Sequence, residues 1–289
     1  MFKEETISLD RSAICGILTY GQVLGRPPVV LFSAGLVHRV GPNRLYVKLA
    51  RSLAQSGSSV FRVDFNGQGD SLQQADLAVT NEAHFLAQIL DALEKKLKVN
   101  RFILAGLCSG ADTAYRFSLA DQRVTGLIMI NGSGLTDREE EALYPVAEAQ
   151  IRQRYYKKAV FDLQKWKKMV KGRSRLFKAG NLMRLLTGFH MPIKAALPSR
   201  PAPYQAVVEK GISTLIIISE GSIAYDLFRI LYPRGVHPPI SYHLLPDTDH
   251  IITPIRAQRS LIEKISTWMD LQFPMIDSKQ PGSHETAIQ

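Results

Sequence analysis

The segment Gly106-Leu107-Cys108-Ser109-Gly110 constrains this chain more than any other, because it follows directly on the apolar run Phe102-Ile103-Leu104-Ala105. The run reads as a buried strand. The small residues Gly110, Ala111 and Ala114 read as the start of a helix packed closely against it. A residue caught on so sharp a turn is strained, and bulky neighbours would collide with the strand and helix around it. Here that residue is a cysteine, a sulfur nucleophile where the better-known form of the motif carries serine. Three fixed residues recur by chance, so the reading rests on the surroundings of the pentapeptide.

Those surroundings alternate strands with helices. Residues 14–20, 29–32, 60–63, 127–130, 214–218 and 241–245 form short segments rich in apolar, β-branched and aromatic residues that predict strands. Leu45, Leu49 and Leu53 share one helical face, which Gly57 ends, and Phe85, Ile89, Leu93 and Leu97 share another. Pro254 suits the first turn of a final helix running through Ile262 and Trp268. The pattern predicts an α/β protein with a mostly parallel central sheet flanked by helices. It divides into a core at 1–135 and 210–273, a helical insertion at 136–209 and a loose polar tail at 274–289.

With 289 residues, 45% of them hydrophobic, the chain can bury a full core. Its first residues are charged and lack a secretory apolar stretch, and no apolar run approaches the length of a membrane span. Cys15 and Cys108 fall in separate strand contexts without metal-site spacing. The expectation is a cytoplasmic protein of a reducing compartment, with neither metal nor other cofactor.

At this point the residues resemble a family. Ser33-Ala34-Gly35-Leu36 after a strand, the Asp64-x-x-Gly67-x-Gly69-x-Ser71 turn, the elbow at Cys108 and a late Asp249-His250 stand in the order of the α/β-hydrolase superfamily. Val37-His38-Arg39-Val40-Gly41-Pro42-Asn43-Arg44 with the cysteine elbow resembles, more narrowly, bacterial serine-aminopeptidase-like hydrolases, including those associated with exosortase systems. The resemblance covers roughly residues 10–135 and 210–270, and implies that 136–209 is that fold's variable lid.

It also implies roles. Cys108 would be the nucleophile, its thiol acidified by a helix N-terminus and a nearby imidazole. His250, delivered by the loop after the last strand, would be the general base; His237 and His243 are its rivals. The acid departs from the family pattern, since Ser222 stands where an aspartate is usual. Asp226 is the choice, with Glu220 and Asp249 as alternatives, and its task would be to fix the tautomer of His250. The backbone N–H groups of Leu36 and Ser109 would form the oxyanion hole, with Gly35 allowing close approach. Arg39 either pairs with Asp64 or Asp70 or binds an anionic part of the substrate.

The charge is concentrated. Residues 145–200 hold fourteen Lys or Arg against Glu148 and Asp162, a net +12, so the rest of the chain's +10 total sums to −2. A basic helix usually means only a solvated face. Otherwise the segment would steer a coenzyme A thioester or an acidic carrier protein to the pocket, or touch an anionic membrane surface with Trp166 and nearby leucines. The cluster Leu182, Leu185, Leu186 and Phe189 would close over an acyl chain. Nucleic acid is not expected.

The expected activity is hydrolysis of an ester or thioester through an acyl-cysteine. Acyl transfer through the same intermediate is the first alternative. A non-catalytic homologue that binds a ligand or partner is the second.

Overall fold

The computed structural model describes residues 2–9, 14–22, 25–35, 37–64, 67–72, 82–135, 137–160 and 204–275. Leu36, Trp166 and the 182–189 cluster lie outside the described residues, as does most of the basic segment. So does the tail beyond residue 275.

The described strands are β1 (Glu4–Leu9), β2 (Ile14–Thr19), β3 (Val29–Phe32), β4 (Val60–Asp64), β5 (Phe102–Leu107), β6 (Val124–Ile130), β7 (Ser213–Gly221) and β8 (Ile240–Asp249). They form one sheet in the order β1-β2-β4-β3-β5-β6-β7-β8. The pairs β1–β2 and β2–β4 are antiparallel and all later pairs parallel. β1 was not anticipated from the sequence. It is an edge strand whose residues alternate between exposed and half-buried, and Glu4 and Glu5 give it little apolar signal.

The helices are α1 (Leu45–Gln55), α2 (Glu82–Leu97), α3 (Ser109–Ser118), α4 (Asp137–Val160), α5 (Gln205–Glu209), α6 (Ile223–Leu231) and α7 (Ile255–Gln272). Alternate strand residues feed opposite layers, as the pleat requires. Val30, Phe32, Leu104, Met129 and Ile216 share a cluster with residues of α2 and α3. Val29, Leu31, Ile103, Ile128 and Leu215 share the other with residues of α1 and α7. Sheet residues buried on both faces explain the unbroken apolar runs of the central strands.

The end of the expected insertion belongs with the first layer. Tyr204 is buried there, its ring stacked on Tyr232 at a centroid distance of 5.2 Å and its hydroxyl donating to Gly132 O at 3.3 Å.

β3 sits between β4 and β5, although the chain visits β4 first and reaches β5 only after α2. The direction of winding therefore reverses at β3, which opens a crevice beyond the carboxyl ends of β3 and β5. Loop 33–35 leaves β3 at that place, and Cys108 follows β5.

Candidate active site

Cys108 occupies the single residue between β5 and α3, with φ 55° and ψ −129°. A non-glycine residue there carries strain on the order of 1–3 kcal/mol and persists only when its surroundings hold it. Two neighbours must be glycine. A Cβ on Gly106 would lie 2.2 Å from the Gly110 carbonyl, and one on Gly110 would lie 2.4 Å from Phe32 O. Strand, elbow helix and β3 are packed backbone to backbone.

Hydrogen bonds fasten this arrangement. Cys108 N–H donates to Ile130 O at 2.8 Å. The buried Tyr46 hydroxyl on α1 accepts from Leu107 N–H at 2.8 Å and donates to Phe32 O at 2.9 Å. Tyr46 thus ties the residue before the elbow to the end of the strand that leads into loop 33–35. Ser109 was expected to contribute only its N–H. Its hydroxyl also acts, accepting from Gly35 N–H at 2.8 Å and so latching the elbow to that loop.

The Cys108 thiol is half-buried, and desolvation pushes its pKa above that of an ordinary thiol. The Ser109 N–H works against that rise, while the carboxylates of Asp112 and Glu140 add to it. The expected acidification of the thiol is therefore not what the surroundings produce. Asp112, one turn along α3, is pushed up to about 6 by burial, although its Oδ1 accepts from Ser133 N–H at 2.9 Å and Gly134 N–H at 2.7 Å.

His250 follows β8 directly, where Asp249 turns the chain: its carboxylate accepts from Thr253 N–H at 2.7 Å and its carbonyl from Ile252 N–H at 3.2 Å. The carbonyl of His250 accepts from Asn131 Nδ2 at 2.7 Å. Its ring nitrogen Nδ1 lies 2.8 Å from Ser222 Oγ. Burial lowers the imidazole pKa, against a smaller opposing pull from Asp249.

Ser222, not Asp226, thus stands on His250. The reason lies in where α6 begins: Ser222 caps it, accepting Ala224 N–H at 3.2 Å. Asp226 is four residues further along, roughly 6 Å down the helix axis, and fully buried. The alternatives are used elsewhere, Glu220 accepting from Asp247 N–H at 3.1 Å and Asp249 in the turn just described. His243 lies within β8.

Arg39 does not face an incoming anion. Its backbone N–H and Nη1 bond Asp64 at 2.6 and 2.5 Å, and Nη2 pairs with Asp70. Asp64 is completely buried, and a buried carboxylate needs a paired cation. Gly35 has φ 50° and approaches the elbow as described.

Sequence reasoning missed Asn131 and Tyr46. Asn131-Gly132 after a strand resembles an ordinary turn, and Tyr46 follows Leu45 on a helix without any motif. Among the described residues there is no group of three His, Cys, Asp or Glu side chains placed to hold a metal ion. Nor, among them, is any helix long and apolar enough to cross a membrane.

No family model and no curated protein matches the chain. Solved structures do match it. A carboxylesterase of Nitrososphaera gargenis superposes with a TM-score of 0.54 at 16% identity, over 92% of this chain and 99% of its own. The dienelactone hydrolase of Anabaena variabilis gives 0.51 at 12%, over 93% and 96%. The proline iminopeptidase of Mycobacterium smegmatis gives 0.55 at 14%, over 93% and 98%. What these likenesses establish is the α/β-hydrolase fold.

Proposed function

We propose that this chain, on its α/β-hydrolase fold, hydrolyses an ester or thioester through an acyl intermediate on Cys108. One observation carries the reading. The strained elbow holds a thiol at the start of α3, and the loop after β8 supplies a histidine whose Nδ1 is engaged by Ser222. A plain structural cysteine needs neither the backbone strain nor the two close glycines.

In the proposed reaction His250 acts as the neutral tautomer that carries its proton on Nδ1 and donates it to Ser222 Oγ. That leaves Nε2 as the acceptor for the Cys108 thiol proton. The sulfur attacks the substrate carbonyl, and the oxygen that becomes negative faces the N–H of Ser109 at the α3 terminus. The tetrahedral species collapses, the bond to the leaving oxygen or sulfur breaks, and the imidazolium returns a proton to that leaving group. Water, deprotonated by His250, then attacks the thioester and restores the free thiol and the carboxylic acid. Because burial opposes charge on both Cys108 and His250, the resting pair is a neutral thiol and a neutral imidazole. Proton transfer accompanies attack rather than preceding it.

The basic segment at 145–200 suits an acyl group borne on a phosphate-containing carrier, whether coenzyme A or an acidic carrier protein. An anionic membrane surface is the other partner of that chemistry. A thiol nucleophile is most readily kept reduced in a reducing compartment, which supports a cytoplasmic reading.

Intact-protein mass after brief exposure to a panel of acyl thioesters tests the reading. The expected result is a gain equal to the acyl group, absent in Cys108→Ala and decaying in water. Decay only when an amine or alcohol is supplied would make the chain an acyltransferase. The neutral partner of His250 favours a third reading, that of a ligand-binding homologue. That reading prevails if Cys108 takes up neither acyl groups nor a thiol-reactive probe.

A further inference from the structure

Asn131 follows β6 with φ 52°, a left-handed conformation that asparagine adopts more readily than most residues. The residue is 3% exposed, and its carboxamide makes three hydrogen bonds. Oδ1 accepts from Ser219 N–H at 2.7 Å, while Nδ2 donates to Ser219 Oγ at 3.0 Å and to His250 O at 2.7 Å. A backbone N–H on one side and a backbone carbonyl on the other fix which end of the amide is which.

These bonds belong to a closed circuit. Ser222 N–H donates to Ser219 O at 3.0 Å, and Ser222 Oγ meets the ring of His250 at 2.8 Å. From the Asn131 amide the circuit runs through Ser219 to Ser222, across to the imidazole, and back through the His250 carbonyl to the same amide. The backbone of His250 and the hydroxyl that orients its ring are both referred to one rigid side chain at the end of β6.

We propose that Asn131 is a positioning residue that sets the imidazole of His250 against Ser222 and so selects its Nδ1–H tautomer. The inference rests on the reaction proposed above for its catalytic consequence, but the ring geometry can be tested without turnover. A carboxylate on Nδ1 would hold its proton by charge alone. A serine hydroxyl can either donate or accept, so by itself it holds neither the tautomer nor the ring as a charge would. A weak orienting partner needs a more exact frame, and the Asn131 circuit supplies it.

Two variants probe this. Asn131→Gly removes the amide and tolerates the backbone conformation. Asn131→Asp keeps the shape and the acceptor for Ser219 N–H while losing the donor to His250 O. Nitrogen-15 correlation spectra of the imidazole, recorded on the full chain, report the tautomer. The wild type is expected to show one Nδ1–H species, and each folded variant a mixture. In parallel, kcat should fall by on the order of 10- to 100-fold with KM nearly constant, as for a misplaced catalytic group.

An unchanged single tautomer with unchanged kcat in either folded variant overturns the proposal. A shift in KM alone also overturns it. If one variant does not fold, the other decides. If the wild type forms no acyl adduct, the hydrolase reading fails, while the spectra still decide whether Asn131 positions the ring.

Discussion

Ser222 Oγ stands 2.8 Å from Nδ1 of His250, so a neutral hydroxyl and not a carboxylate faces that ring nitrogen. The hydroxyl also caps α6. Its removal in Ser222→Ala should therefore cost about 1 kcal/mol of stability as a lost cap. It should also lower kcat/KM on the order of tenfold, or about 1.4 kcal/mol of transition-state stabilisation.

Ser222→Asp keeps a good cap and adds the missing charge. A carboxylate beside Nδ1 stabilises the imidazolium, so the pKa of His250 rises from its lowered value. In the proposed reaction the imidazole must be neutral to accept the thiol proton, so the acidic limb of kcat/KM should move to higher pH by roughly one unit or more. A pH–rate profile that does not move would mean that Ser222 does not act through the ring.

The surroundings of Cys108 predict how its thiol titrates. Burial and the charges of Asp112 and Glu140 oppose the thiolate, with Ser109 N–H as the counterweight. Alkylation by iodoacetamide should thus reach half its maximal rate above the roughly 8.5 of a free thiol, with no reactive plateau at low pH. Glu140→Gln removes one opposing charge and should move that midpoint down. Asp112, with a pKa of about 6, is charged across the range where the thiol titrates and continues to oppose ionisation there. A midpoint well below 8 would instead reveal a preformed thiolate–imidazolium pair.

Much of this architecture was legible because burial on both faces writes itself into sequence. The runs at 29–32, 102–105 and 215–218 are apolar throughout, and the glycines around Cys108 mark a backbone contact that no side chain survives. His250 could be placed because it follows the last predicted strand, 241–245. The partner of His250 was less legible, because it depends on where α6 starts, and a start set by a serine cap leaves no apolar periodicity to read. Ser222 was visible in the sequence only as an aspartate that was not there. Asn131 and Tyr46 act through hydrogen bonds between distant strand ends, and such bonds have no spacing signature at all.

Tyr46 offers a test of how the two halves of the crevice are joined. In Tyr46→Phe the ring still fills its site, but Phe32 O and Leu107 N–H lose their buried partner. The expected loss is roughly 1–3 kcal/mol in urea denaturation. The acylation rate of Cys108 should fall as well, since the freed groups flank loop 33–35 and the elbow. A loss of stability with full acylation would show that Tyr46 supports the core without positioning the site.

Arg39 separates a buried structural cation from a substrate-binding one. In Arg39→Met the fully buried Asp64 would keep Ser33 Oγ, at 2.9 Å, the backbone N–H of residue 39 and the His38 imidazole at 3.7 Å, but would lose its guanidinium partner. Breaking a buried pair from one side costs about 3–5 kcal/mol, most of it from the stranded charge. Arg39→Met should therefore unfold at markedly lower urea concentration, and adding Asp64→Asn should restore part of the loss by removing that charge. Asp70→Asn, by contrast, should change stability little, because Asp70 is two-thirds exposed. An Arg39→Met protein of wild-type stability whose KM rises only for anionic substrates would return Arg39 to the binding site.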